Sequence, residues 1–133
     1  MHSILVKDYM DKNPHAINQS ASVREAIMTI VKHRITGAPV VDDNNQLVGF
    51  ISEHDCIGKL LNDAFYSDES VNVSHLMHAQ AVTVTPDTSI LEVAESMMKG
   101  PYKNYPVVEG KKLAGFISRE HVLEALLSVN KKD

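Results

Sequence analysis

The stretch GFISEHD at residues 49–55 returns, nearly unchanged, as GFISREH at residues 115–121. The likeness continues outward from these two phrases. Upstream, Val6–Val41 aligns with Val73–Val108 at an offset of 67, which pairs Met10 with Met77, Ser22 with Ser89, Glu25 with Glu92 and Pro39-Val40-Val41 with Pro106-Val107-Val108. One residue is lost before the phrase itself, so Leu47, Gly49, Phe50, Ile51 and Ser52 meet Leu113, Gly115, Phe116, Ile117 and Ser118 at an offset of 66. Leu60-Leu61 then falls on Leu126-Leu127. Matches that run through apolar and turn positions alike mark a duplicated supersecondary unit. Two copies, residues 1–62 and 73–133, nearly fill the chain, with a polar connector at 63–72.

Each copy reads as strand, helix, strand, strand, helix. A short extended piece is expected near His15–Asn18 and again over Ala81–Thr85. Ser22-Val23-Arg24-Glu25 and Ser89-Ile90-Leu91-Glu92 have capping-box spacing, in which the serine oxygen and the carboxylate satisfy first-turn amides. Behind them Val23, Ala26, Ile27, Ile30 and Val31 form one apolar stripe, as do Ile90, Val93, Ala94, Met97 and Met98. Gly37 and Gly100-Pro101 fall where these helices should stop. Ala38–Val41 and Leu47–Ile51 flank Asp42-Asp43-Asn44-Asn45, and Tyr105–Val108 and Leu113–Ile117 flank Glu109-Gly110-Lys111-Lys112. Both read as hairpins. A second helix follows each phrase, with Ile57, Leu60 and Leu61 inward in one copy and Val122, Leu123, Leu126 and Leu127 in the other.

Composition bounds the function. Of 133 residues, 44% are hydrophobic and 23% charged, the balance of an ordinary globular chain. A net charge of −4 argues against an electrostatic hold on nucleic acid or anionic lipid. No apolar run approaches membrane-spanning length, and the N-terminus is too polar for a signal peptide, so a cytoplasmic location is expected. The lone Cys56 cannot staple the fold and reads as a packed thiol. A single copy buries too little alone, so the two are expected to pack sheet to sheet about a pseudo-twofold axis, an α+β architecture with clefts between the copies.

The repeated phrase has two readings. Ser52-Glu53-His54-Asp55 is itself capping-box spacing, contributing about 1 kcal/mol to a helix start, and Gly49 then only admits a neighbouring backbone. On the functional reading, a helix N-terminus at a strand's end offers amides and partial positive charge to a phosphate. The Ser52 hydroxyl adds a further hydrogen bond, and Asp55, one turn in, can accept both hydroxyls of a ribose as the acidic residue of dinucleotide folds does.

The pattern Gly-x-x-Ser-x-x-Asp after a Pro-Val-Val hairpin, written twice, resembles a tandem cystathionine-β-synthase (CBS) domain pair, also called a Bateman module. KHRITGAPVVDDNNQLVGFISEHD carries the resemblance most densely. The resemblance implies a regulatory module, not an enzyme, whose clefts bind adenosine-containing ligands: AMP, ADP, ATP or S-adenosylmethionine; no cofactor is required, and whether Mg²⁺ accompanies a triphosphate is left open by the sequence. It places Asp55 on the ribose, Ser52 near the phosphate, and Ile35, Pro39, Ile51 and His15 around the adenine. It assigns a basic residue of the other copy, here Lys103, to the phosphates, with Arg119 as a second candidate. The second cleft departs from the pattern: His121 replaces the aspartate beside Ser118, Tyr102 replaces Ile35, and Thr36 stands where the first cleft meets Lys103. An imidazole offers one hydrogen bond per ring nitrogen and cannot receive two hydroxyls as a carboxylate does. One ribose site of two is therefore expected.

Other classes stay open. A ligand-free interaction or dimerisation scaffold fits the apolar second helices, and the family commonly forms side-by-side homodimers. A small nucleotide hydrolase would need a nucleophile or phosphate loop that no motif supplies. His75 and His78 lie three apart, but no cysteine or carboxylate cluster completes a metal set. No metal is expected, and the regulated partner would be an unidentified effector protein.

Overall fold

The computed structural model describes residues 4–62 and 71–130; most of the expected connector, residues 63–70, lies outside them. The element order is β1 (Ile17–Asn18), α1 (Val23–His33), β2 (Gly37–Val41), β3 (Leu47–Ser52), α2 (Glu53–Asn62), α3 (Ile90–Lys99), β4 (Asn104–Glu109), β5 (Lys112–Ser118) and α4 (Arg119–Asn130), with 3₁₀ turns at Val6–Asp8 and Val73–His75. This is the α+β repeat of the sequence reading. Strand β1 pairs parallel with β2, and β2 antiparallel with β3. In the second copy β4 and β5 form the hairpin. There the leading strand shrinks to one parallel bridge, Val84 to Val107, where Val84 N–H donates to Pro106 O at 3.1 Å and Val108 N–H to Val84 O at 2.9 Å.

The offset change has its cause in the hairpin turns. Five residues separate the paired Val41 and Leu47, and four separate Val108 and Leu113. The longer turn is closed by the Asp42 carboxylate, which accepts from the amides of Asn44 and Gln46 at 2.9 Å each. The shorter one turns on Gly110 at φ +65°, a left-handed conformation that suits glycine.

Compact units do not coincide with the repeats. One unit joins Met1–Asn13 to Val82–Asp133, and the other is Pro14–Ala81. Each copy's leader, the segment ahead of its first strand that runs from the 3₁₀ turn to Asp11 in one copy and to His78 in the other, thus packs in the unit built on the other copy's hairpin. In the Pro14–Ala81 unit Val73 is fully buried among Ile17, Ala26, Ile30, Ala38, Val40, Ile51 and Cys56. In the other, Val6 is fully buried among Ile90, Val93, Tyr105, Val107, Ile117, Val122 and Ala125. Backbone pairing fixes both leaders. Phe50 and His78 exchange N–H···O bonds of 2.9 and 2.8 Å, and Phe116 and Asp11 exchange bonds of 3.0 and 2.8 Å.

This approach explains the glycine that opens each phrase. A Cβ on Gly49 would lie 2.6 Å from Met77 Sδ and 2.8 Å from the His78 carbonyl oxygen; on Gly115 it would lie 2.7 Å from Met10 Sδ and 2.8 Å from the Asp11 carbonyl oxygen. A thioether can swing aside, but the paired backbone cannot.

Several expectations are corrected. The Ser22 box forms in full, with Glu25 N–H donating to Ser22 Oγ at 3.0 Å and Ser22 N–H to Glu25 Oε1 at 2.9 Å. Ser89 Oγ instead accepts from Leu91 N–H at 3.2 Å, one residue earlier than a box requires. Helix α1 ends on Arg34 in the left-handed region (φ 53°). Gly37 is no cap: it begins β2, where a Cβ would meet the Phe50 ring at 2.6 Å. Val31 and Met98, at the ends of their stripes, are exposed. The second helices follow the expected arrangement only in part: Val122 is buried and Leu126 packs against its core as expected. Ile57, Leu60 and Leu61 of α2 and Leu123 and Leu127 of α4 are exposed, while Cys56, Val122 and Ala125 face the cores.

Gly49→Ala and Gly115→Ala should each lower stability by about 1–3 kcal/mol, since the pairing must yield to the added methyl group. Gly58→Ala, within α2 with nothing inside 4 Å of its Cβ position, should raise stability by about 0.5–1 kcal/mol. Urea denaturation of the three variants checks the contrast.

Candidate functional site

The candidate site forms where β3 runs directly into α2. Glu53 N–H donates to the Thr36 carbonyl at 3.0 Å, which fixes the helix start against the chain entering β2. The first turn is then locked by Ser52 and Asp55. Asp55 Oδ2 accepts from Ser52 Oγ–H at 2.7 Å and from Ser52 N–H at 3.1 Å, while Asp55 N–H donates to Ser52 Oγ at 3.2 Å. The remaining oxygen, Oδ1, accepts from His78 Nε2 at 3.0 Å. His78 reaches it from the leader paired with Phe50.

The Asp55 side chain keeps only 14% of its exposure, against 63% for His78. Burial pushes the carboxyl toward its neutral form, but the bonds from the Ser52 side chain and backbone, followed by His78, outweigh it and hold its pKa below the usual carboxylate value. Asp55 is thus an ionised acceptor at neutral pH. The adjoining Cys56 is a packed thiol: burial, then the charges of Asp55 and Glu53, push its pKa up to about 11, so it is protonated and unreactive.

The other predicted residues of this unit are in different states. Ile51 and Pro39 are fully buried, so neither offers a surface as it stands, whereas Ile35 is half-buried at the edge of the same core. His15 is exposed and stacks on His33, with ring centroids 3.6 Å apart and planes 10° from parallel. The partial desolvation of that stack, then the proximity of His15 and Lys32, lowers the pKa of His33. His75 does not join His78 in a metal site: its Nδ1 lies 3.1 Å from Asn72 Oδ1. Among the described residues no three histidine, cysteine or acidic side chains converge.

The equivalent place in the other unit has the same backbone and different chemistry. Arg119 N–H donates to the Lys103 carbonyl at 3.2 Å, as Glu53 does to Thr36. His121 takes the role of Asp55 as a cap: its Nδ1 accepts from Ser118 N–H at 3.0 Å and lies 3.0 Å from Ser118 Oγ. With Nδ1 accepting, the ring proton sits on Nε2, which can only donate. Lys103 and Arg119 are exposed, and Tyr102, 46% exposed, tilts against Tyr105 at 5.9 Å.

His78 is the functional candidate that sequence reasoning missed. Its signal was present. At the repeat offsets Asp55 matches His121, and His78 matches Asp11. The two chemical groups are exchanged between helix and leader, although in the second unit Asp11 turns instead to the amide of Asn13 at 2.9 Å.

The CBS domain family profile matches residues 6–62 and 73–128. The CBS-pair protein CBSX2 of Arabidopsis thaliana, crystallised in complex with AMP, is 28% identical and superposes with a TM-score of 0.84 over 96% of this chain and 99% of that one. The CBS domain pair of protein MJ0100, crystallised with 5′-methylthioadenosine and S-adenosyl-L-methionine, is 27% identical, with a TM-score of 0.80 over 98% and 100% of the two chains. The A-adding tRNA nucleotidyltransferase of Aquifex aeolicus is 30% identical over 91% of this chain, but over only 14% of its own length. The chain spans 42–65% of the length of the first curated relatives it matches. Among the described residues no helix is long and apolar enough to cross a membrane.

A carboxyl held below its ordinary pKa in the folded state stabilises the fold at pH values above its unfolded pKa, and that contribution fades as pH falls through the lowered folded value. Asp55→Asn should therefore be less stable than wild type at neutral pH, with the gap closing below about pH 4. Urea midpoints measured across pH test this.

Proposed function

The chain belongs to the CBS domain family, and from that premise we propose that it is a regulatory module binding one adenosine-containing nucleotide at the start of α2. The observation that carries the reading is the ionised Asp55 carboxylate in the first helical turn, beside the Ser52 hydroxyl, where the duplicate position holds His121. A carboxylate accepts a vicinal diol, and the adjoining helix start favours a phosphate. The complexes of CBSX2 with AMP and of the MJ0100 pair with S-adenosyl-L-methionine support the ligand class. Ile35 and His15 would flank the base, with Pro39 and Ile51 behind it.

Lys103, and Arg119 after it, would hold the phosphates. Mg²⁺ would accompany only a triphosphate. The second place, with Ser118, His121, Tyr102 and Thr36, would bind ribose weakly or not at all. A ligand that prefers one conformation shifts the population toward it, and coupling of about 1–3 kcal/mol suffices for signalling to an effector protein. The exposed apolar residues of α2 and α4 support self-association as a homodimer, and the module would act in the cytoplasm. The nucleotide would be returned unchanged.

Calorimetric titration of AMP, ADP, ATP and S-adenosylmethionine into wild type and Asp55→Ala tests the reading. One site per chain is expected, weakened about tenfold to a hundredfold in the variant, as loss of a hydrogen bond to a charged group requires. Lys103→Ala should weaken the nucleotides and leave adenosine unaffected. Two tight sites per chain, or equal binding by Asp55→Ala, would overturn the assignment.

A further inference from the structure

We infer that His78 sets the ribose selectivity of this site by occupying an acceptor position that a vicinal diol needs; the inference rests on the nucleotide reading above. An ionised carboxylate offers about four acceptor positions. Asp55 commits both on Oδ2 to Ser52 and one on Oδ1 to His78. Contacts among the described residues therefore leave one. A 2′-deoxyribose, with a single hydroxyl, can use that position while His78 stays in place. A ribose binding through both hydroxyls must displace one of the existing donors.

The donor that yields is His78. The Ser52 hydroxyl is held at both ends, donating to Oδ2 and accepting from Asp55 N–H, so removing it would unmake the helix cap. His78 is anchored through its backbone to Phe50, and its ring is 63% exposed, so the imidazole can rotate into water without disturbing the pairing. Its bond to Asp55 spans 23 residues in sequence and closes the leader over the helix start. Ribose binding and this closure compete for the same oxygen. No such competition exists in the duplicate, where the leader offers Asp11 and the helix His121.

The test compares AMP with 2′-deoxy-AMP in wild type and His78→Ala, alongside ¹⁵N spectra of the His78 ring in wild type and Asp55→Ala without ligand. AMP should bind His78→Ala about threefold to tenfold more tightly than wild type, the range expected for removing one competing, partly exposed hydrogen bond. The affinity for 2′-deoxy-AMP should barely change, so the preference for ribose rises. Without ligand, the ring should be an Nε2–H tautomer whose signals move in Asp55→Ala.

Equal effects on the two nucleotides, or weaker AMP binding by His78→Ala, would overturn the inference. So would a ring that ignores Asp55→Ala, whatever the nucleotides do. If the ring responds but no nucleotide binds any variant, the nucleotide reading has failed and His78 is only a clasp on α2. The ring spectra thus separate the two failures.

Discussion

The paired backbone hydrogen bonds that join each leader to the opposite copy's hairpin are the constraint on which the other features depend. Phe50 with His78, and Phe116 with Asp11, each exchange two bonds beside a glycine that has no room for a side chain. Because the leaders are exchanged, Val73 completes one core and Val6 the other, and neither repeat supplies its own full set of buried residues. The same pairing delivers His78 to Asp55. Fold and candidate site therefore share one cause, the close approach that Gly49 permits.

Much of this was legible in the chain. Periodicity located the helices and hairpins, and the repeated phrase located the helix starts, because these depend on local spacing and capping chemistry. The leader exchange was not legible. An alignment shows that Val6 and Val73 are equivalent, but equivalence does not say which hairpin each one packs on. Gly37 was misread for a related reason: Arg34 adopts the left-handed turn itself, and the glycine is needed instead beneath the Phe50 ring. The stripes of α2 and α4 showed that these helices are amphipathic. They could not show that Cys56 and Ala125 face inward while Leu60, Leu61, Leu123 and Leu127 are exposed.

The duplication also allows the site to be read by internal comparison. One backbone arrangement, a serine at a strand's end followed by a capping side chain in the first helical turn, is present twice. In one unit the cap is a charged acceptor that can exchange its partners; in the other it is an imidazole whose accepting nitrogen is already used by Ser118. Helix capping alone is satisfied by both side chains. What differs is the capacity left for a ligand, and that difference motivates the assignment of nucleotide recognition to Asp55. Sequence showed the substitution, while its consequence depends on the hydrogen bonds each side chain makes.

The most direct test of the account is a map of backbone amide signals as AMP is added to the ¹⁵N-labelled protein. Nucleotide recognition by Asp55 predicts saturating shifts concentrated at Ser52, Asp55, Cys56 and His78, with Ser118 and His121 little affected. Shifts centred on Ser118 and His121, or none at ligand concentrations that saturate related modules, would contradict it.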